Sequence, residues 1–406
     1  MADTGIQSTY RFGPFQLDAR ERRLSRGSDL IPLRLKVFDT LLVLVEHAGR
    51  LVTKQELLDT VWPGTAVEEN NLNHNVSMLR KALGERATGQ QYIETVPRVG
   101  YRFVAAVESA VPQAGPSDRS AAKARQEIRY CTTSDGIRLA YASVGSGPPL
   151  VKASNWLTHL DFEWGSPIWR HWYTELSRHH RLVRYDERGN GLSQRDVPVV
   201  NFDTWVRDLE TVVDAAGLDR FPLLGISRGG AIAIAYAVKH PERVTQLVLY
   251  GPFAVGMHHV GTPEQLEARR AFMSLLRLGW GLSNPAFSKM FTCRFLPEAT
   301  PEHERWLDEL QRVSTSPENA ARLMECDGNI DVRPLLSQVK APTIVIHCDR
   351  DQVILPERGR LVAAQIPGAR YVSLPGANHL MLEEEPAWSM FLEELGLFLN
   401  WAAVRT

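Results

Sequence analysis

Pro222-Leu223-Leu224-Gly225-Ile226-Ser227-Arg228-Gly229-Gly230-Ala231-Ile232-Ala233 is the stretch whose reading decides the fold. An apolar run meets a serine with a glycine two residues away on either side, and a row of small residues follows. The pattern predicts a strand that turns sharply into a helix, with the serine hydroxyl raised at the helix N-terminus on a backbone that only glycine neighbours allow. Such a hydroxyl needs a base, and the base needs an orienting acid. Outward from this turn, short apolar runs alternate with helical patterns. Ile128–Thr132, Arg138–Val144, Leu150–Ala153, Arg181–Tyr185, Pro222–Gly225, Val244–Tyr250, Thr343–His347 and Arg370–Ser373 read as strands. The alternation predicts a mostly parallel sheet with crossover helices. Residues from about 253 to 339 interrupt it with helical segments alone and are expected to form a cap. His379 stands just past the last strand, and Asp349 and Asp351 follow the strand before it.

A composition break at Ser109–Glu127, small, polar and Pro/Gly-bearing, reads as a linker. It divides the chain into residues 1–108 and 128–402. The first part opens with strand-like pieces at Tyr10–Leu17, Arg23–Ser25 and Leu30–Leu33. A helix carrying Phe38, Leu41, Leu42 and Val45 on one face follows, and Gly49 closes it. Thr53 and Glu56 form a capping box for a second helix. A third runs from about Glu68 to Leu83, with Leu72, Val76, Leu79 and Leu83 turned inward. Tyr92–Thr95 and Tyr101–Val104 flank a basic-tipped turn at Arg98. Three helices and a hairpin make a winged helix-turn-helix. The third helix then presents Asn70, His74, Ser77, Met78 and Lys81 outward, with Asn73 and Arg80 on its flank. Amides suit adenine edges, and cations suit phosphates or guanine, so this face is suited to a major groove of double-stranded DNA. Arg98 could reach a minor groove or a phosphate.

Composition narrows the classes. The 406 residues are 44% hydrophobic and 23% charged, which excludes a mainly disordered or fibrous chain. Net charge is −1, and residues 1–108 hold 14 basic against 13 acidic side chains, so DNA binding must rest on where charge is placed. Four scattered cysteines without CxxC spacing fit a reducing compartment and argue against a metal site. The opening residues lack the apolar core of a signal peptide, and the apolar runs are too short to span a bilayer. A cytoplasmic location, no membrane and no cofactor are expected.

Two resemblances sharpen this. YRFGPFQLD, IPLRLKVFDTLLVLVEHAGRLVTKQELLDTVWPG, VEENNLNHNVSMLRKALG and YIETVPRVGYRF resemble the OmpR/PhoB-type winged helix over roughly residues 9–107. That family usually places a phosphorylatable receiver domain ahead of the winged helix. Here the signal is expected from the C-terminal side instead. Residues 128–402, with Asp186-Glu187-Arg188-Gly189-Asn190-Gly191-Leu192-Ser193, resemble an α/β-hydrolase domain. That resemblance implies Ser227 as nucleophile, Asp351 as acid and His379 as base, in the family's chain order. It favours Asp351 over Asp349, because the family's G-x-x-D loop puts its acid three residues past the position Cys348 fills. It assigns Asp186 and Arg188 to holding their loop. It also implies an oxyanion hole from the N–H groups of Trp156 and Arg228, although Ser154-Asn155 stands where the family usually has His-Gly. The combination points to a one-component transcription regulator with a hydrolase-like sensing domain for a small molecule or ester. Homodimerisation and contact with RNA polymerase are further expectations. The alternative is a serine esterase or acyl hydrolase with an accessory DNA-binding module.

Overall fold

The structure is a computed structural model; it describes residues 9–18, 23–27, 29–31, 33, 35–61, 69–85, 90–97, 99–105, 107–109, 126–280 and 292–401. The chain divides into two compact units, Met1–Ala121 and Ala122–Thr406.

In the first unit, β1 (Thr9–Phe12), β2 (Phe15–Asp18), β3 (Arg23–Arg26) and β4 (Asp29–Ile31) form an antiparallel meander. Tyr10–Leu17, expected as one strand-like piece, is two. Gly13, at φ 52°, turns the chain so that Tyr10 faces Leu17 and Phe12 faces Phe15. Next come α1 (Leu35–Glu46), β5 (Leu51–Thr53), α2 (Lys54–Val61) and α3 (Glu69–Ala82), then β6 (Ile93–Val96) and β7 (Gly100–Phe103). The capping box forms: the Thr53 N–H donates to Glu56 Oε2 at 2.8 Å, and the Glu56 N–H donates to Thr53 Oγ1 at 3.1 Å. β5 was not anticipated. It completes a three-stranded sheet of order β5-β7-β6, and it crosses so close to Gly100 that a Cβ there would lie 2.0 Å from the Val52 carbonyl oxygen. The two end residues of the expected linker also belong to strands. Ser109 lies in β8 (Glu108–Ser109), paired with β1, and Glu127 opens the second unit's first strand.

That strand is β9 (Glu127–Thr132). It joins β10 (Arg138–Val144), β11 (Pro149–Lys152), β12 (Arg181–Tyr185), β13 (Phe221–Ile226), β14 (Val244–Tyr250), β15 (Thr343–Cys348) and β16 (Arg370–Leu374). The sheet order is β16-β15-β14-β13-β11-β12-β10-β9, and only the pairings of β10 are antiparallel. Each expected strand of this half has its place in it. The central strands β11, β13, β14 and β15 read as mostly apolar runs because both faces are covered. Leu223, Leu247, Leu249 and Val345 pack to one side, with α6 (Phe202–Ala215) and α7 (Arg228–Lys239). Leu224, Val248, Tyr250, Ile344 and Ile346 pack to the other, with α5 (Arg170–His179) and α14 (Pro386–Leu399); α4 (Leu160–Trp164) precedes α5. Between β14 and β15 the described residues form α8 (Met257–Val260), α9 (Pro263–Gly279), α10 (Pro301–Ser314), α11 (Pro317–Gly328) and α12 (Arg333–Leu336). A bridge between Val255 and Asp331 ties the base of this cap together. α13 (Pro356–Gln365) connects β15 to β16.

The loop after β12 is held from within. Asp186 Oδ2 accepts the N–H groups of Leu160 and Leu192, and the buried Arg188 guanidinium pairs with Asp208 at 2.6 Å and Asp135 at 2.7 Å. Removing one partner of such a buried pair typically costs about 3–5 kcal/mol, so these residues fix a loop next to the site. Among the described residues, no helix is long and apolar enough to cross a membrane.

Candidate functional site

The Gly225–Gly229 turn sits where β13 ends at the middle of the sheet, the position at which open α/β sheets bind ligands. Ser227 has φ 53° and ψ −123°, a left-handed conformation that costs a non-glycine residue about 1–3 kcal/mol. The turn persists because its surroundings determine it. The Ser227 N–H donates to the Tyr250 carbonyl and the Gly230 N–H to the Ser227 carbonyl, both at 2.9 Å. A Cβ on Gly225 would meet the Gly229 carbonyl oxygen at 2.6 Å, so strand and helix approach this closely only through glycine.

The structure brings His379 and Asp351 together behind this serine. His379 Nδ1–H donates to Asp351 Oδ2 at 2.6 Å, and Asp351 Oδ1 accepts the N–H groups of Val353 (2.8 Å) and Ile354 (3.1 Å). Asp349, the competing acid, instead accepts the Gly376 N–H at 3.0 Å. Burial would raise the Asp351 carboxyl, but the His379 charge and the hydrogen bonds of His347 and His379 overcome it and hold the group well below the usual carboxylate range. His347, which the sequence reading missed, has its Nε2 3.4 Å from Asp351 Oδ2 and donates to the Ile354 carbonyl at 2.8 Å. The other ring nitrogen of His379, Nε2, is buried without a partner, and His379 and Ser227 line one narrow cleft. A wider cavity of about 440 Å³, also lined by Ser227, opens on the cap side between Trp156, Phe272, Met324 and Phe295. The two spaces meet at the serine.

On the first unit, α3 buries Leu72, Val76, Leu79 and Leu83 and exposes Asn73, His74, Ser77, Met78 and Lys81. The Asn70 side chain and Arg98 lie outside the described residues. Two of the expected DNA-facing side chains have structural bonds as well. Arg80 donates to the Ile93 carbonyl (2.8 Å) and to Thr95 Oγ1 (2.7 Å), bracing α3 against β6, and Asn73 Oδ1 accepts the Tyr101 hydroxyl at 2.7 Å. Asn75, one turn-face away, is buried and ties α3 to α1 through the Lys36 carbonyl and Thr40 Oγ1.

Comparison with known proteins agrees with both halves. A family model described as serine aminopeptidase, S33, matches residues 175–386, just over half of the chain. The chain belongs to this α/β-hydrolase family. A second model, transcriptional regulatory protein, C terminal, matches residues 27–103, and the first unit is an OmpR/PhoB-type winged-helix DNA-binding domain. A 2-hydroxy-6-oxo-2,4-heptadienoate hydrolase of Pseudomonas putida is 38% identical over 135 residues, covering 32% of this chain and 46% of that enzyme, so the match spans about half the relative's length. A pyrrolizixenacetamide deacetylase of Xenorhabdus hominickii is 26% identical over 61% of this chain and 90% of its own. The solved structure of a hydrolase from Pseudomonas aeruginosa superposes with a TM-score of 0.56 at 28% identity, covering 67% of this chain and 98% of that one.

In this α/β-hydrolase the loop after β11 departs from the usual His-Gly and is secured differently. The buried Lys152 ammonium donates to Asn155 Oδ1 and lies 5.2 Å from the centroid of the Trp169 ring. Arg228 Nη2 donates to the Asn155 carbonyl at 3.1 Å, while the same guanidinium pairs with Glu187 and Asp327 and stacks 4.2 Å from the Trp205 ring centroid. Burial pushes the Lys152 ammonium down, to about 8, with Glu163 pulling the other way. Lys152, Glu187 and Asp327 had no signal in sequence beyond being charged residues near apolar runs. Of the large apolar side chains of the cap, Met324 lines the cavity, Trp280 is buried with its ring centroid 6.0 Å from that of Trp156, and Trp306 packs on Phe162; Phe287 and Phe291 lie outside the described residues. A strained serine, an imidazole nitrogen without a partner and a carboxylate on the far nitrogen together suit acyl transfer through a covalent ester.

Proposed function

We propose that the protein is a one-component transcription regulator: the winged helix binds double-stranded DNA, and the α/β-hydrolase unit binds a small ester or other acyl compound over Ser227 and passes its occupancy on to transcription. The observation that carries this reading is the union in one chain of an exposed α3 face and a hydrolase-like site whose loop after β11 has Ser154-Asn155 in place of His-Gly. An altered oxyanion loop weakens turnover, since each oxyanion donor is worth about 2.7–4 kcal/mol, without weakening binding. In this reading Trp156 and Arg228 supply the remaining N–H donors. Asn70, Asn73, His74, Ser77, Lys81 and Arg98 meet DNA, with Arg80 holding the wing in place. Two copies bind paired half-sites as a homodimer and engage RNA polymerase.

A second reading, a working serine hydrolase, is favoured by the 2.6 Å His379–Asp351 pair and the vacant Nε2 beside Ser227. There Ser227 Oγ attacks the acyl carbon as His379 Nε2 takes its proton. The alkoxide leaves with that proton, and water attacks the acyl-enzyme by the same relay. One experiment separates the two. Full-length protein and Ser227→Ala are compared in a reporter assay and in mass spectrometry with a fluorophosphonate. Labelling of the parent alone, with ligand response kept in Ser227→Ala, supports sensing by binding. Loss of the response in Ser227→Ala shows that the acyl-enzyme or its product is the signal. A reporter indifferent to both Ser227→Ala and Ser227→Trp, the latter filling the cavity, sinks the sensing proposal.

A further inference from the structure

We infer that the cavity over Ser227 is built for an acyl compound carrying a carboxylate at the end remote from its reactive carbonyl, with Arg358 and Arg269 as the residues that recognise it. This rests on the reading of that cavity as the ligand site. Among the described residues, four arginines line its wall, Arg228, Arg269, Arg294 and Arg358, against one carboxylate, Asp327. Arg228 is accounted for by its pairs with Glu187 and Asp327. The other three make no ion pair among the described residues, and residues 281–291 contain no Asp or Glu that could supply one.

Two of these three are half-buried, while Arg294 is exposed. Arg358, on α13, gives one N–H to the Val255 carbonyl at 2.5 Å and lies 5.6 Å from the Phe253 ring centroid. Arg269, on α9, gives one N–H to the Met324 carbonyl, and its Nε is buried with no acceptor. Burial lowers the pKa of both guanidinium groups; at Arg269 it outweighs the opposing pull of Asp327 and Glu325. A guanidinium offers five N–H donors, and among the described residues Arg269 and Arg358 each make one hydrogen bond to protein. Withdrawing a cation from water is unfavourable, most of all at Arg269, whose Nε has no acceptor, and an incoming anion offsets that penalty as it binds. A planar carboxylate matches one guanidinium fork in a bidentate contact, which suits arginines placed on separate elements better than a phosphate needing several convergent donors. The same wall carries Phe253, Phe272 and Met324, which can cover an alkyl chain. The narrow cleft that also reaches Ser227 is lined by Leu307, Leu310, Phe295 and Leu380 and, among the described residues, has no arginine or lysine. The ligand is therefore asymmetric: a charged acyl half in the wide cavity and an uncharged alcohol half in the cleft.

The test is calorimetry on full-length Ser227→Ala, which cannot consume the probe, with monomethyl glutarate and its neutral counterpart dimethyl glutarate. The monoanion is expected to bind about tenfold more tightly, the scale of one charge-assisted contact, and to lose that advantage as salt rises. Adding Arg358→Gln or Arg269→Gln should shrink the preference several-fold, and Arg358→Lys, which keeps the charge but loses the fork, should fall between the parent and Arg358→Gln. Equal or tighter binding of the diester, binding of neither ester at about 10 mM ligand, roughly tenfold above a 1 mM Kd, or an unchanged preference in both Gln variants overturns the inference. Failure of the sensing proposal looks different: the monoanion binds selectively, but DNA affinity does not respond.

Discussion

Asp351 combines burial with ionisation, and its removal has two separable consequences. In Asp351→Asn the ring nitrogen Nδ1 loses its charged acceptor, so His379 can present the wrong tautomer to Ser227. The rate of fluorophosphonate labelling is expected to fall by about 10³–10⁴. The second consequence concerns stability and pH. The folded-state pKa of Asp351 is depressed, so the group stabilises the native state above the unfolded carboxylate value, near 4, and loses that contribution as pH falls through its folded value. The stability gap between parent and Asp351→Asn, read from urea unfolding at pH 7, 5 and 3.5, should therefore narrow toward the acid end. A gap that widens there would mean that burial dominates the histidines.

At the scale of the element, α3 separates two kinds of polar residue that the sequence could not tell apart. Lys81 points to solvent; Asn75 reaches the Lys36 carbonyl and Thr40. Lys81→Ala should leave urea stability unchanged while weakening DNA binding and reducing the salt slope by about 1. Asn75→Ala should cost about 1–3 kcal/mol of winged-helix stability by stranding buried partners. A gel-shift series across salt, paired with unfolding curves, checks both. The same contrast explains what was legible. The central strands β11, β13, β14 and β15 were readable because burial on both faces writes them as apolar runs, and the Ser227 turn because close packing demands its glycines. β5 and β8 were missed: three and two residues are too short for a period, and only their partners make them strands. Asp349 and Asp351 stand two residues apart on one loop; the residues alone leave the choice between them open, and only the family's loop pattern favours Asp351. Arg269 and Arg358 sit on helices whose polar pattern matches a solvated face, and the cavity beside them exists only after the cap has folded.

At the scale of the whole molecule, the question is whether the two units share their free energy. If they do, filling the cavity changes DNA affinity by a factor of roughly 5–150, and operator DNA changes ligand affinity by the same factor. Titrating each ligand in the presence of the other by calorimetry measures both legs; unequal factors would show that an unrecognised equilibrium intervenes, and factors of one that the units are merely tethered. Sedimentation on and off a full operator tests the dimer, and monomer in both states would count against it. One side chain makes the ligand leg easy to follow. Trp156 borders both the cavity and the cleft, with the Arg228 guanidinium 6.0 Å from its ring centroid and Trp280 at the same distance. An indole in that position emits differently once water gives way to a ligand. The protein thus carries its own dye at the point of occupancy, and Trp156→Phe identifies that signal against the emission of the other tryptophans.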